Sequence, residues 1–168
     1  MPRDVEIRTL ESREAAAVLP ALYEILYNNM NGIDPAEGSY EDGMKSWTGI
    51  IAKALEKPQR KMLLLYAGGE LAGFFMYYVN NGVFMMEEIQ FKTPYQGTGL
   101  FQALYRHLIE IIPGDTETVE AYAHKRNTKS QGVLGHLGLA VVGENKDGSC
   151  WHYRGSYPSL VSVVNGQR

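Results

Sequence analysis

The sequence predicts a mixed α/β (α+β) fold in which helices flank a central mixed, mostly antiparallel sheet of about seven strands, and three observations predict it. Three strand-like runs, Met62 to Ala67, Leu71 to Val79 and Val83 to Phe91, are broken only by Gly68-Gly69-Glu70 and Asn80-Asn81-Gly82, the pattern of an antiparallel meander. The third run then passes through a glycine-bearing turn into a helix pattern, and a further strand follows, so the meander enters a strand-helix-strand unit. With 168 residues, 45% apolar and 21% charged, the chain has the size and composition of one domain with its own core.

Each element has a local reason. Val5 to Leu10 alternates apolar and polar residues, as a half-buried strand does, and Ser12 is an expected N-cap for a helix from about Arg13 to Asn28. Residues 31 to 60 hold Gly32, Pro35, Gly38, Gly43 and Pro58 around a helical piece, Met44 to Leu55, and read as a mobile cover. Asn81-Gly82 is a type I′ turn signal, which makes the two runs beside it a hairpin. Leu100, Leu104, Leu108 and Ile111 mark the buried face of a helix from about Thr98 to Ile112, closed by Pro113-Gly114. Thr118 to Ala123 reads as a strand, Thr128 to Leu137 as a short helix ending at Gly138, and Leu139 to Glu144 and Cys150 to Arg154 as two last strands around Lys146-Asp147-Gly148. Residues 1–155 are expected to form a single domain. Residues 156–168 read as a tail, either disordered or an edge element that could pair across a homodimer.

Composition excludes several function classes. Lys and Arg number 16 against 19 Asp and Glu, so there is no basic excess for a phosphate-neutralising face, and no nucleic-acid partner is expected. The single cysteine, Cys150, makes no internal disulfide, and the four histidines sit at no metal-ligand spacing, so no metal is expected. Apolar stretches such as Met62 to Leu65 fall far short of the roughly 20 residues of a membrane helix, and Met1 to Arg13 lacks the apolar core of a secretory signal. The reading is a cytoplasmic protein with no membrane partner.

The most informative stretch is Glu87-Glu88-Ile89-Gln90-Phe91-Lys92-Thr93-Pro94-Tyr95-Gln96-Gly97-Thr98-Gly99-Leu100-Phe101. Two glycines around a threonine at a helix start leave backbone N–H groups pointing outward at the positive end of the helix dipole, which suits a phosphate. Neither of the commonest phosphate motifs is present: no Gly-Lys-Ser/Thr follows, and the third glycine of GxGxxG would fall at Gln102. The alternative is a tight strand-to-helix turn with no ligand.

The whole pattern resembles the GCN5-related N-acetyltransferase (GNAT) superfamily. Its acetyl-CoA signature, Arg/Gln-x-x-Gly-x-Gly/Ala, is matched at its first two defined positions by Gln96 and Gly99, and the preceding Glu-Glu-Ile-Gln-Phe-Lys-Thr-Pro-Tyr is similar to the family's fourth strand. Asn127, with Gly138-Leu139 eleven residues on, is similar to the family's Asn and Gly-Phe spacing. Two positions depart from the pattern. Phe101 stands where the signature ends on a small residue, and Leu134, seven residues after the Asn, stands where many members place the tyrosine that protonates the departing thiolate.

The resemblance implies that acetyl-CoA is the cosubstrate. Gly97, Thr98, Gly99 and Leu100 would hold its pyrophosphate with Gln96 nearby, and the strand at Ile89, Gln90 and Phe91, continuing to Lys92, would pair with pantetheine. Asn127 and Ser130 join the cofactor-binding set, and Lys125, Arg126 and Lys129 could meet the adenosine phosphates or simply face water. Acyl transfer to an amine needs a neutral nucleophile, so a base must take a proton. Strand alternation sends Glu87 and Glu88 to opposite faces. Glu87 is favoured, because it aligns with the acidic residue of amine-acetylating relatives, and Glu88 is the substitute. Tyr122 is the first stand-in for the missing acid, ahead of Tyr77, Tyr78 and Tyr95; His124 is a further base candidate. Asp34, Glu37, Glu41 and Asp42, with Tyr40 among them, form an acidic cover suited to a cationic amine or an ordinary hydrophilic loop. The function expected is N-acetyl transfer to a small-molecule primary amine, polyamine-like or an amino sugar. The alternative is a CoA-binding module of the same fold with little turnover.

Overall fold

A computed structural model of the chain describes residues 4–166. Its elements run β1 Val5–Thr9, α1 Ala15–Met30, α2 Tyr40–Ala54, β2 Arg60–Ala67, β3 Glu70–Asn80, β4 Val83–Phe91, α3 Leu100–Ile111, β5 Thr118–His124, α4 Thr128–His136, β6 Ala140–Glu144, β7 Cys150–Ser156 and α5 Tyr157–Val164. The seven strands form one sheet in the order β1-β2-β3-β4-β5-β7-β6. β1 is antiparallel to β2, and β7 is antiparallel to both β5 and β6. β4 and β5 are parallel, in register from Val83 opposite Thr118 to Met86 opposite Ala121. This is the mixed, mostly antiparallel sheet that the meander and the strand-helix-strand unit predict.

Turn chemistry accounts for the hairpins. Gly68 and Gly69, both at positive φ, join β2 to β3, and Asn81 (φ 51°) and Gly82 (φ 77°) join β3 to β4 with the two left-handed residues that a type I′ turn needs. The start of the first helix differs from expectation. Ser12 caps nothing; the chain makes a 3-10 turn over Ser12–Glu14, where the Glu11 N–H donates to the Glu14 carboxylate at 3.3 Å, and α1 begins only at Ala15. α2 starts earlier than read, because Ser39 supplies the cap by accepting from the Asp42 N–H at 3.1 Å, with Glu41 and Asp42 placed at the positive end of the helix. The segment after residue 155 also differs. Ser156 accepts from the Ser159 N–H, Pro158 sits in the first turn, and α5 buries Tyr157 and Leu160. Residues 167–168 of that expected tail lie outside the described residues.

The chain divides into two compact units. The first takes the described residues up to Met76 together with Glu88–Leu100, and the second takes Tyr77–Glu87 together with the described residues from Phe101 on. In the first, Leu19, Leu22 and Ile25 of α1 and Ile51 of α2 pack on Met62 and Leu64 of β2 and Phe74 and Met76 of β3. Leu63, Leu65 and Phe75, of the opposite parity, are also fully buried, which explains why these strands read as unbroken apolar runs. In the second, Val119, Ala121 and Ala123 of β5 are buried with Tyr153 of β7 and Leu134 of α4. Among the described residues no helix is long and apolar enough to cross a membrane.

Candidate active site

The first unit holds the glycine turn. After β4 a 3-10 turn over Thr93–Tyr95 brings the Gln96 N–H to the Thr93 carbonyl at 3.2 Å, and the Thr98 hydroxyl donates back to the Tyr95 carbonyl at 2.6 Å. Gly97 (φ 76°) and Gly99 (φ 90°) take the left-handed conformation that only glycine adopts at no cost. A Cβ added at Gly97 would meet no atom within 4 Å, so the turn has open space at that position, as a loop that cradles a ligand requires. Gln96 does its work inside the turn: its Nε2 donates to the Phe91 carbonyl at 3.0 Å and ties the turn to the strand end.

That carbonyl has a second donor, Nδ2 of Asn29 at the end of α1, at 2.8 Å. Two side-chain amides therefore occupy the position that a neighbouring strand would fill. The Lys92 N–H bonds the Ala72 carbonyl in β3; by alternation the N–H groups of Phe91 and Ile89 point away from β3. They can serve an extended ligand or a carbonyl oxygen.

Glu88 and Gln90 share a face. Gln90 is buried, and its side-chain Nε2 donates to the Glu88 carboxylate at 3.4 Å while its Oε1 accepts from Nδ2 of Asn29 at 3.0 Å. Glu88 lines a cavity of about 230 Å³ whose other walls include Tyr23, Leu26, Tyr27, Met30 and Asp34, all from α1 and the loop after it. Glu87, the carboxylate favoured by alignment, is not part of this lining. Of the acidic cover residues, Asp34 joins the cavity, whereas Glu41 and Asp42 lie in the first turn of α2. Tyr40 packs edge-on against Tyr27 and Tyr23, at 4.8 and 5.2 Å between ring centres.

Except for Tyr95, the candidates described next belong to the second unit. Tyr122 is 47% exposed and stacks on His152 of β7, ring centres 4.5 Å apart and planes 11° from parallel. His152 Nε2 lies 2.6 Å from the Glu120 carboxylate, which also accepts from Arg154 at 3.2 Å. Asn127 and Ser130 meet each other: the Asn127 side chain caps α4 by accepting from the Ser130 N–H at 3.1 Å. Lys125 spends its charge locally, paired with Glu144 at 2.8 Å and lying 4.2 Å over the Trp151 ring. His124 accepts from the Arg126 N–H through Nδ1. Among the other tyrosines, Tyr95 donates to Glu70, a bond that raises its phenol above the ordinary range, and Tyr77 is raised by burial.

The two departures from the acetyltransferase pattern have structural explanations. Phe101 lays its ring along α3 against Tyr105, centres 4.4 Å apart. Leu134 is 7% exposed and closes α4: the Leu139 N–H bonds the Leu134 carbonyl and the Gly138 N–H bonds that of Gly135, with Gly138 left-handed at φ 92°. This is a Schellman end, with its usual pair of buried apolar residues. No group of three or more His, Cys, Asp or Glu able to hold a metal occurs among the described residues.

Sequence reasoning missed Asn29, Tyr23, Tyr27, Glu120 and His152. The tyrosines were visible at four-residue spacing with Met30 near the end of a helix, and Glu120 alternates with buried residues beside Tyr122. Asn29 carried no signal at all.

Comparison with curated protein sequences finds no match. Solved structures give the fold. PaiA N-acetyltransferase from Thermoplasma acidophilum, in complex with coenzyme A, superposes with a TM-score of 0.70 at 19% identity over 92% of this chain and 99% of that one. The ribosomal-protein-S5-alanine acetyltransferase from Vibrio fischeri gives 0.63 at 16% identity, covering 90% and 92%. Mutant forms of the spermidine/spermine N-acetyltransferase SpeG from Vibrio cholerae give 0.63 at 12% identity, covering 94% and 96%. The family model described as the acetyltransferase (GNAT) family matches residues 19–139, which takes in most of α1, the glycine turn and α4, and the chain therefore belongs to the GNAT acetyltransferase family.

Proposed function

We propose that the protein transfers the acetyl group of acetyl-CoA to the primary amine of a small molecule, by direct attack in a ternary complex, with Glu88 as the group that takes the amine's proton. The observation that carries this reading is the placement of Glu88 in a concave, aromatic-walled cavity, on the strand that runs into the glycine turn. A protein acceptor would present a chain end or side chain to the same carboxylate, but a concave, partly open cavity of about 230 Å³ has room for a small body.

The open left-handed turn fits a phosphate-bearing cosubstrate, and Gly97, Thr98, Gly99 and Leu100 are the residues that would hold it. Ile89, Gln90 and Phe91 would supply the pairing strand, and the N–H groups of Ile89 and Phe91 would polarise a carbonyl. Bound acetyl-CoA supplies an acetyl thioester already activated for transfer. Glu88, oriented by Gln90 and through it by Asn29, removes one proton from the alkylammonium, whose pKa is near 10. The nitrogen then forms its bond to the acetyl carbon as the carbon–sulfur bond breaks. The second nitrogen proton balances the departing thiolate and is carried by water, since Leu134 has no hydroxyl. That same leucine favours the second reading, a CoA-binding module with little turnover; release of free thiol over a panel of amines separates the two.

Glu88→Gln tests the assignment. Turnover should fall by about 10² or more at neutral pH while the rise in melting temperature caused by acetyl-CoA is unchanged. Raising the pH toward 10 should recover much of the loss, because the acceptor is then already neutral. Glu87→Gln should cost far less. A larger loss in Glu87→Gln returns the role to that carboxylate, and equal small losses return the proton to bulk water.

A further inference from the structure

Resting on the acceptor reading above, we infer that the cavity selects a primary amine carried on an uncharged, mainly hydrocarbon body, an arylalkylamine being the type, over polyamines and amino acids. Among the described residues, the charges in its lining are the carboxylates of Asp34 and Glu88, and no basic side chain joins them. A zwitterionic amino acid would bring its own carboxylate against these two with nothing to pair it. The inner walls, Leu26, Met30 and the rings of Tyr23 and Tyr27, offer hydrocarbon and aromatic surface. A second ammonium among them would exchange its hydration for ring faces alone, with no carboxylate on these inner walls to replace it. Asp34 is exposed at the rim, where an ion pair in water adds little affinity.

The rings are held in place before any ligand arrives. Tyr23 is 5% exposed and packs against Trp47 and Tyr40, Tyr40 also meets Tyr27 edge-on, and a Cβ on Gly43 would run into the Tyr23 hydroxyl. α2 thus braces the aromatic wall from behind. A preformed wall of this kind favours a rigid apolar or aromatic body, because neither side gives up much conformational freedom on binding.

The test compares 2-phenylethylamine, 1,4-diaminobutane, spermidine and phenylalanine at one pH by thiol release from acetyl-CoA, with amine binding followed in parallel by calorimetry. We expect kcat/KM for 2-phenylethylamine to exceed that of the others by about tenfold or more, the discrimination that apolar pocket contacts give. In Leu26→Asp the ratio of 2-phenylethylamine to 1,4-diaminobutane should fall by about tenfold; Ala36→Glu, on an exposed loop at the same cavity, should move the ratio the same way if Leu26→Asp does not fold. Preference for a polyamine or for phenylalanine overturns the inference and leaves acetyl transfer standing. Variants that lower both rates while the ratio holds also overturn it, since the wall would then be structural only. If no amine releases thiol although acetyl-CoA still raises the melting temperature, transfer itself fails, and calorimetry decides the cavity: tighter binding of 2-phenylethylamine than of the diamine supports the selection, and equal binding overturns it.

Discussion

Gly73→Ala is a small change whose cost can be worked from the structure. Gly73 lies in β3 against the end of β4, where an added Cβ would stand 2.5 Å from the Gln90 carbonyl oxygen and 3.1 Å from the Phe91 Cα. Both are backbone atoms, so no rotamer change relieves the contact; the Phe91 ring, also at 2.5 Å, can turn away. Ordinary contact begins at 3.4 Å, so the Gln90 carbonyl must withdraw by about 0.9 Å. The neighbouring bond from the Lys92 N–H to the Ala72 carbonyl is 2.8 Å long, and the same movement would carry it beyond the roughly 3.2 Å limit of a good hydrogen bond. Losing that bond costs about 1 kcal/mol and forced overpacking about 1–3 kcal/mol. A total of about 2–4 kcal/mol lowers the melting temperature of a domain this size by about 4–16 °C. The displacement also pulls the Phe91 carbonyl from Asn29 and Gln96, so the further rise caused by acetyl-CoA should shrink. Thermal denaturation with and without acetyl-CoA reads both effects. A variant that melts within about 1 °C of the parent and keeps the full acetyl-CoA effect would refute the reasoning, since the strand end would then have slack that these distances deny.

Two further substitutions separate ligand contact from folding. Gly97→Ala places a methyl group in open space but at φ 76°, so stability should drop by only about 1 kcal/mol, the ordinary left-handed penalty. The affinity for acetyl-CoA, measured by calorimetry, should drop about tenfold or more if the turn is the phosphate cradle; unchanged affinity removes that assignment. Tyr122→Phe keeps the ring that stacks on His152 and loses only the hydroxyl. If Tyr122 protonates the thiolate, turnover falls by about 10² or more at unchanged melting temperature, and a loss of less than about threefold gives that role to water.

The fold was legible wherever local chemistry decides it. Asn81-Gly82, the alternating strands and the glycine that ends α4 each act within a few residues, and each appears where the sequence put it. α5 falls in the stretch that reads only as a tail, disordered or an edge element, although Ser156 followed by Pro158 is a helix-start signal. The structural duty of Leu134 is legible only when Gly138 and Leu139 are read with it as one helix end.

The proposed proton acceptor shows why the rest is not legible. Alternation within β4 groups Glu88 with Gln90 and sets Glu87 apart, and that much needs no structure. Which of the two faces meets an acceptor depends on what lies opposite, and the proposal for Glu88 rests on residues about sixty positions away: Asn29 grips both Gln90 and the Phe91 carbonyl, and Tyr23, Tyr27 and Met30 line the same cavity as Glu88. In the sequence these residues sit in a helix whose apolar spacing is satisfied by core packing alone, and Leu22 and Ile25 do lie in that core. A helix can present a core stripe and a ligand wall at once, because residues four apart lie on one face while their neighbours a residue away turn toward another. Periodicity reports only the stripe. The choice between Glu87 and Glu88 therefore rests on the tertiary placement of α1, and comparing the two glutamine substitutions tests that placement and the chemistry together.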